Sequence, residues 1–104
     1  MKISIPAVAR MTVHILAPCL PVLNHTARKV RGVSASQIET SQMIWARLSP
    51  AIANDAEAQA AIIGILDRPH SPVWNSTLEQ ALIGILKENH DLAESLATIL
   101  KIPS

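Results

Sequence analysis

The sequence predicts an all-α fold, a small bundle of about five helices in a chain of 104 residues. Apolar residues recur at steps of three and four in several stretches, which is the spacing of one helix face. Alanine and leucine are abundant, glycine occurs three times, and alternating β-branched runs are absent, a composition that favours helices. Because Phe and Tyr are absent, the core is expected to consist of Ile, Leu, Val and Ala.

The first predicted helix spans residues 7–17. Its apolar face is expected to carry Val8, Met11, Ile15 and Leu16. Arg10 and His14, four residues apart, lie together on another side of this helix. Pro18 and Pro21 then break or bend the path, because proline has no backbone N–H to donate.

Four further helices are predicted near residues 37–53, 55–66, 74–88 and 90–101. Each has an apolar stripe. In the order of the helices, the first stripe is Ile38, Trp45, Leu48 and Ile52, and the second is Ala58, Ala61, Ile62, Ile65 and Leu66. The third is Leu78, Leu82, Ile85 and Leu86, and the fourth is Leu92, Leu96, Ile99 and Leu100. Residues 67–72 form the clearest loop, since two prolines and an aspartate do not continue a helix. Pro50 either bends its helix or begins a new turn, and the sequence leaves both open.

Capping residues predict where these helices start. Two serine–glutamate pairs have the spacing of a capping box, in which the serine accepts from a first-turn amide and the glutamate reaches back. The pairs are Ser36 with Glu39 and Ser76 with Glu79. Asn54 or Asp55 is predicted to begin the helix near residues 55–66, and Asn89 is predicted to begin the last helix.

Two similar hexapeptides, residues 61–66 (AIIGIL) and 81–86 (ALIGIL), each contain a glycine. Glycine inside a helix costs roughly 1 kcal/mol relative to alanine. Gly64 and Gly84 either allow two helices to approach closely or occur there by chance, and both interpretations stay open. Trp74, just after the predicted loop, is expected to pack under the bundle as a staple against the helix near residues 74–88.

Charge divides the chain into two parts. Residues 1–31 carry five basic side chains and no acidic one, whereas residues 32–104 carry eight acidic and four basic side chains. A small, polar link at residues 32–35 separates them. The sequence therefore predicts a basic, apolar N-terminal helical segment at residues 1–31 and an α-helical interaction domain at residues 36–102.

A basic patch, Arg28, Lys29 and Arg31, closes the N-terminal segment. It is a candidate contact for a membrane surface or, less favoured, for nucleic acid. Docking of the segment on the acidic domain is the preferred interpretation, because the basic run is short and has no aromatic residues to stack on bases. Charges and prolines also make residues 1–31 a poor signal peptide and a poor spanning helix, which favours a cytoplasmic protein.

No catalytic or metal-binding motif stands out in the sequence. The histidines, His14, His25, His70 and His90, do not pair with one another or with Cys19 at metal-ligand spacing. A single cysteine forms no disulfide framework and fits a reducing compartment. The sequence therefore predicts a protein that is not an enzyme and needs no cofactor. An enzyme that uses Cys19 or a histidine is the least favoured hypothesis.

Several features occur together along the interaction domain. They are Ile44-Trp45-x-x-Leu48-x-Pro50, an alanine-rich helix ending at Leu66, a helix ending in Leu86-Lys87-Glu88-Asn89, and Asp91-Leu92-Ala93-x-x-Leu96-x-x-Ile99-Leu100. With these features, residues 36–102 resemble the effector-associated domains, small helical modules of bacterial, notably cyanobacterial, signalling and conflict proteins. Such modules recruit an effector through helix–helix contacts. The resemblance implies a non-enzymatic adaptor whose ligand is a protein partner or a second copy.

The residues predicted to make these contacts are Trp45, Leu48, Trp74, Leu92 and Leu96. Tryptophan is enriched among the residues that dominate binding energy at protein interfaces. Apolar residues make up 49% of the chain, and in a small protein this surplus should leave an exposed apolar patch. The alternative function is a small protein that binds a membrane surface or nucleic acid through its basic N-terminal segment.

Overall fold

The computed structural model describes residues 4–23, 34–68 and 71–101. Throughout these residues every regular element is a helix: α1 (Ile5–Leu16), a 3₁₀ turn (Ala17–Cys19), the short α2 (Leu20–Leu23), α3 (Ala35–Ala53), α4 (Ala56–Asp67), α5 (Pro72–Glu88) and α6 (His90–Leu100). The prediction of a small all-α bundle is confirmed. The five long helices begin and end within two residues of their predicted bounds.

Helix α1 packs against α3, α5 and α6. Helix α4 packs mainly on α5, and α6 packs on α3 and α5. The buried side chains form one continuous core, to which α1 contributes Val8, Ala9, Val13 and Leu16. The described part of the N-terminal segment therefore docks on the remaining helices. This agrees with the preferred interpretation of the sequence, in which the segment docks on the acidic domain.

The buried face of α1 differs from the predicted one. Met11 is 41% exposed, so its assignment to the apolar face is wrong. Residues 8, 12 and 16, four apart, and residues 9 and 13 beside them form the buried row. Met11 is one residue from Thr12 and two from Ala9 and Val13, and because successive helix positions are about 100° apart, its side chain points away from the middle of this row.

Thr12 brings a polar group into this core. Its side chain is fully buried, and its hydroxyl has no hydrogen-bond partner among the described residues. A buried hydroxyl without a partner loses its bonds to water, which costs about 1–3 kcal/mol. Valine has the same shape without the hydroxyl and is also branched at Cβ.

We expect Thr12→Val to raise the free energy of unfolding by about 1 kcal/mol, because it removes this uncompensated hydroxyl. Urea titration followed by circular dichroism measures the change. Thr77→Val is the matched control, since the Thr77 hydroxyl is on helix α5 and donates to the Val73 carbonyl at 2.8 Å. A Thr12→Val protein less stable than the parent would show that the hydroxyl is satisfied in solution.

The start of α3 lies two residues earlier than the predicted capping box. Ser34 is the N-cap, and its hydroxyl accepts from the Gln37 amide at 3.1 Å. Ser36 is inside the first turn, so the box that pairs it with Glu39 is wrong. Helix α3 also continues through Pro50 to Ala53, which excludes a new helix start at this proline.

The start of α5 corrects the second predicted capping box. Ser71 is the N-cap and accepts from the Trp74 amide at 3.4 Å. Pro72 occupies the first helical position, where its fixed φ angle is already helical and its missing N–H is not needed. Ser76 therefore lies inside α5 and is not a cap.

The other two predicted caps are confirmed. Asp55 accepts from the Ala58 amide at 2.9 Å and begins α4. Asn89 accepts from the Leu92 amide at 3.1 Å and begins α6 directly after α5. Both side chains satisfy amides that have no partner within the first helical turn.

The contact between α4 and α5 depends on Gly64. A methyl group built on Gly64 would overlap the indole ring of Trp74, and Trp74 is half-buried against the core. The same methyl on Gly84 would meet no atom within 4 Å. Close helix approach therefore explains Gly64, and it is the wrong explanation for Gly84. Trp74 packs under the bundle, but it belongs to the first turn of α5 and its ring lies against Gly64 of α4, so it is not a staple before the helix near residues 74–88.

Candidate interaction surface

An open apolar groove lies between α3 and α4, and we call it the α3–α4 groove. Its volume is about 280 Å³, and the residues that line it are Trp45, Ser49, Ile52, Ala53, Gln59, Ile62 and Ile63. Ile52 and Ile62 are buried and form its floor. Trp45 is half-buried and Ile63 is exposed. An indole ring and an isoleucine side chain therefore border an apolar floor that is open to solvent.

Gln59 fixes the corner between the two helices. Its side-chain amide donates to the carbonyls of Ile52, at 3.1 Å, and Ala53, at 2.6 Å. These carbonyls belong to the last turn of α3, beyond which the helix supplies no further amide, although the Ile52 carbonyl also accepts from the Asp55 amide at 3.0 Å. The bonds tie the end of α3 to the second turn of α4. The groove therefore lies beside a corner at which these bonds join the two helices.

The lining of the groove contains no ionisable side chain. Ile63 is 68% exposed, as much as any other large apolar side chain among the described residues. Exposed apolar side chains that cluster around a concave surface are typical of binding sites, whereas isolated ones are common everywhere. The charge-free lining is typical of the centre of a protein interface.

The structure separates the predicted contact residues into two groups. Trp45 lines the groove, and Trp74 is half-buried over Gly64. The three leucines, Leu48, Leu92 and Leu96, belong to the core, and neither Leu48 nor Leu96 exposes any surface. These leucines stabilise the chain's own fold. Their contact with a partner stays a prediction that would require the bundle to open.

Ile63 was not singled out by the sequence, although a signal for it exists. The inward stripe of α4 passes through Ala61 and Ile65, and Ile63 is two residues from each of them. A position two residues from the centre of a helical stripe faces away from it. An isoleucine at such a position is exposed, and this pattern marks it as a candidate contact residue.

The basic patch of Arg28, Lys29 and Arg31 lies outside the described residues, as do His25 and His70. The structure therefore does not bear on the predicted contact between this patch and an anionic surface. On α1, Arg10 is exposed, and its guanidinium is 3.6 Å from a Glu79 carboxylate oxygen on α5.

A polar cleft runs beside this ion pair, between α1 and the first half of α5. Its volume is about 350 Å³, and it is lined by Arg10, Val13, His14, Pro72, Asn75, Ser76 and Glu79. The Arg10 side chain is 79% exposed and that of Glu79 is 25% exposed. An ion pair so accessible to water contributes about 1 kcal/mol at most. The pair positions α1 on α5 only weakly.

The described residues contain no group of three or more His, Cys, Asp or Glu side chains placed to hold a metal ion. Cys19 is fully buried in the 3₁₀ turn, so its sulfur is not accessible to a substrate. His14 and His90 are exposed. Among the same residues no helix is both long and apolar enough to cross a bilayer.

Comparison with protein-family models, with curated proteins and with solved structures gives no match.

Proposed function

We propose that the chain is a non-enzymatic interaction module that binds a helix of another protein chain in the α3–α4 groove. The observation that carries this proposal is an exposed isoleucine, Ile63, beside a half-buried Trp45 in a groove without charges. Water is a poor solvent for such a surface, and an apolar side chain placed there contributes about 1.5–3 kcal/mol when fully buried. A few such anchors carry most of the binding energy of a typical protein interface.

The groove also has the form that a helix requires. Ala53 lines it, and three exposed alanines each lie three residues before a lining residue, so on the same helix faces, where they let a second backbone approach closely: Ala46, Ala56 and Ala60. A helix that presents apolar side chains at steps of three and four can place one in the groove and others along its flanks. The ligand class is therefore an amphipathic helix with an uncharged face.

The setting that we propose is an adaptor of a bacterial signalling or conflict system in the cytoplasm. This setting is carried by the resemblance of residues 36–102 to effector-associated domains and by the single cysteine, which fits a reducing compartment.

Binding of a membrane surface through the N-terminal segment is less well supported. The apolar face of α1 packs on α3, α5 and α6, so it is not available for insertion between lipids. What remains of this alternative is an electrostatic contact through Arg28, Lys29 and Arg31.

Selection from a displayed library of amphipathic helical peptides tests the proposed function on the full chain. We expect enriched peptides with an uncharged apolar stripe, and at least about tenfold weaker binding to the Ser49→Lys protein, because this variant places a cation in the groove. The matched control is Thr40→Lys, since Thr40 is also a half-buried hydroxyl residue of α3 but does not line the groove.

Two results would contradict the proposal. One is a selection that enriches no helical peptide above a library with scrambled sequences. The other is peptide binding that Ser49→Lys and Thr40→Lys weaken to the same extent, because the binding surface would then lie elsewhere on the bundle.

A further inference from the structure

We infer that the helix which binds the α3–α4 groove is basic, with lysine or arginine side chains beside its uncharged apolar stripe. This inference rests on the proposed function, because it names the chemistry of the partner of the same surface. The observation that carries it is the position of two exposed acidic residues, Asp67 on α4 and Glu39 on α3, on the helix faces that border the groove.

Asp67 continues the row of α4 that borders the groove. Ala60, Ile63 and Asp67 follow one another at steps of three and four, so they lie on one face of the helix. Asp67 is one turn, about 5.4 Å, beyond Ile63. Its side chain is 79% exposed, and the Nε atom of the neighbouring Arg68 is 3.8 Å from its carboxylate oxygen. This distance is too long for a hydrogen bond, so the carboxylate remains available to a cation of a partner.

Glu39 has the corresponding place on α3. Glu39, Gln42, Ala46 and Ser49 are spaced by three or four residues, so Glu39 begins the row that borders the groove. It is exposed, and it lies about 15 Å along the helix axis from Ser49. A bound helix of about 12–18 residues is about 18–27 Å long. Such a helix can place one side chain in the groove and another beside Glu39.

The other charges of these two helices point elsewhere. Arg47 is two residues after Trp45, which at about 100° per residue places it on the opposite side of α3. Glu57 is two residues before Gln59 and is on the far side of α4 for the same reason. Asp55 caps the first turn of α4, so its carboxylate is already hydrogen-bonded. The two charges that α3 and α4 present beside the groove are therefore both negative.

The expected effect of these two acids is the selection of one class of helix. Exposed ion pairs at the rim of an interface add little affinity each, but they decide which charge pattern is accepted. A helix with acidic flanks would oppose like charges at both positions. Overall attraction does not account for a preference for cations, because the chain has a net charge of +1 and as a whole would attract the acidic helix.

Two designed peptides of about 18 residues test the inference on the full chain. Both have the same stripe of leucines at steps of three and four in an alanine helix, with either lysines or glutamates beside the stripe. At about 20 mM salt we expect the lysine peptide to bind at least about tenfold more tightly than the glutamate peptide, as measured by fluorescence anisotropy. At about 1 M salt, where the Debye length is about 3 Å, the difference should fall below about twofold.

Charge reversal locates this preference. Asp67→Lys and Glu39→Lys should each weaken binding of the lysine peptide by about fivefold at low salt, because each replaces an attraction with a repulsion. Glu57→Lys is the matched control, since it makes the same change of charge on α4 but on the side away from the groove. Circular dichroism establishes that each variant is folded. If Asp67→Lys is not, Asp67→Asn replaces it, with an expected loss of about twofold.

Three results overturn the inference. They are a glutamate peptide that binds as tightly as the lysine peptide, a chain that binds neither peptide, and a loss of affinity in Glu57→Lys equal to that in Asp67→Lys. The proposed function fails separately. Equal binding of both peptides that Ser49→Lys weakens retains the helix-binding groove and removes the preference for a basic helix. Absence of binding by these peptides and by every helix of the displayed library removes both.

Discussion

Replacing Gly64 with alanine is expected to destabilise the protein by about 1–3 kcal/mol, whereas Gly84→Ala is expected to stabilise it by about 0.5–1 kcal/mol. Both substitutions replace a helical glycine by the best helix former, so their intrinsic effect is the same. The difference lies in the surroundings. The new methyl group on Gly64 overlaps the Trp74 ring, and that on Gly84 meets no atom within 4 Å.

The indole ring of Trp74 has little room to move away. It is half-buried against the core, and its residue is in the first turn of α5, which Ser71 caps and Pro72 begins. Relief of the overlap therefore requires α4 and α5 to separate, or Trp74 to leave its site and expose its ring. Either change loses apolar burial at the most extensive helix contact of the bundle.

Urea titration of the two variants measures both changes in the free energy of unfolding, and near-ultraviolet circular dichroism reports on the Trp74 environment. A double-mutant cycle with Trp74→Ala is the control. In the Trp74→Ala background the methyl on Gly64 meets no ring, so Gly64→Ala should then behave like Gly84→Ala. Equal effects of the two substitutions in the parent background would refute this account of the close approach.

The helices are predictable from the sequence because their apolar stripes are the surfaces that the core buries. The cap error at the start of α5 has a physical origin beyond the local sequence. Near the start of α5 the sequence has two helix N-cap signals close together, Ser71 before Pro72 and Ser76 before Glu79. Local propensity does not rank them. Burial of Trp74 against α4 decides in favour of the earlier start, and this is a tertiary effect.

The groove was less predictable than the helices. Trp45 is predictable from its residue type, but the corner beside the groove also contains the hydrogen bonds from Gln59 of α4 to the carbonyls of Ile52 and Ala53 at the end of α3. A hydrogen bond between a side chain and the preceding helix leaves no periodic signal in a sequence. The sequence also does not show that Leu48, Leu92 and Leu96 lie in the core and not at a contact with a partner. An apolar stripe has the same spacing whether it packs within one chain or against another chain.

Leu96→Ala distinguishes these two roles for an apolar stripe. Leu96 exposes no surface on α6, which packs on α1, α3 and α5. Its truncation leaves a cavity that the surrounding helices fill only in part, so we expect a loss of about 2–5 kcal/mol. Small domains have free energies of unfolding of about 5–15 kcal/mol. The variant is therefore expected to be folded only marginally, or to lose its cooperative transition altogether.

The measurement is urea unfolding of Leu96→Ala beside Ile99→Ala, a truncation on the same helix at a position that is only partly buried. The smaller loss expected for Ile99→Ala, about 1 kcal/mol, follows from the smaller area that it removes from the core. Unfolding each variant at low and at high protein concentration distinguishes a residue of the core from a residue of an interface. A core residue destabilises each molecule equally at both concentrations, whereas an interface residue has an effect only where copies associate. A Leu96→Ala protein that matches its parent when dilute would place Leu96 at a contact between chains, and the bundle would then have to open to expose it.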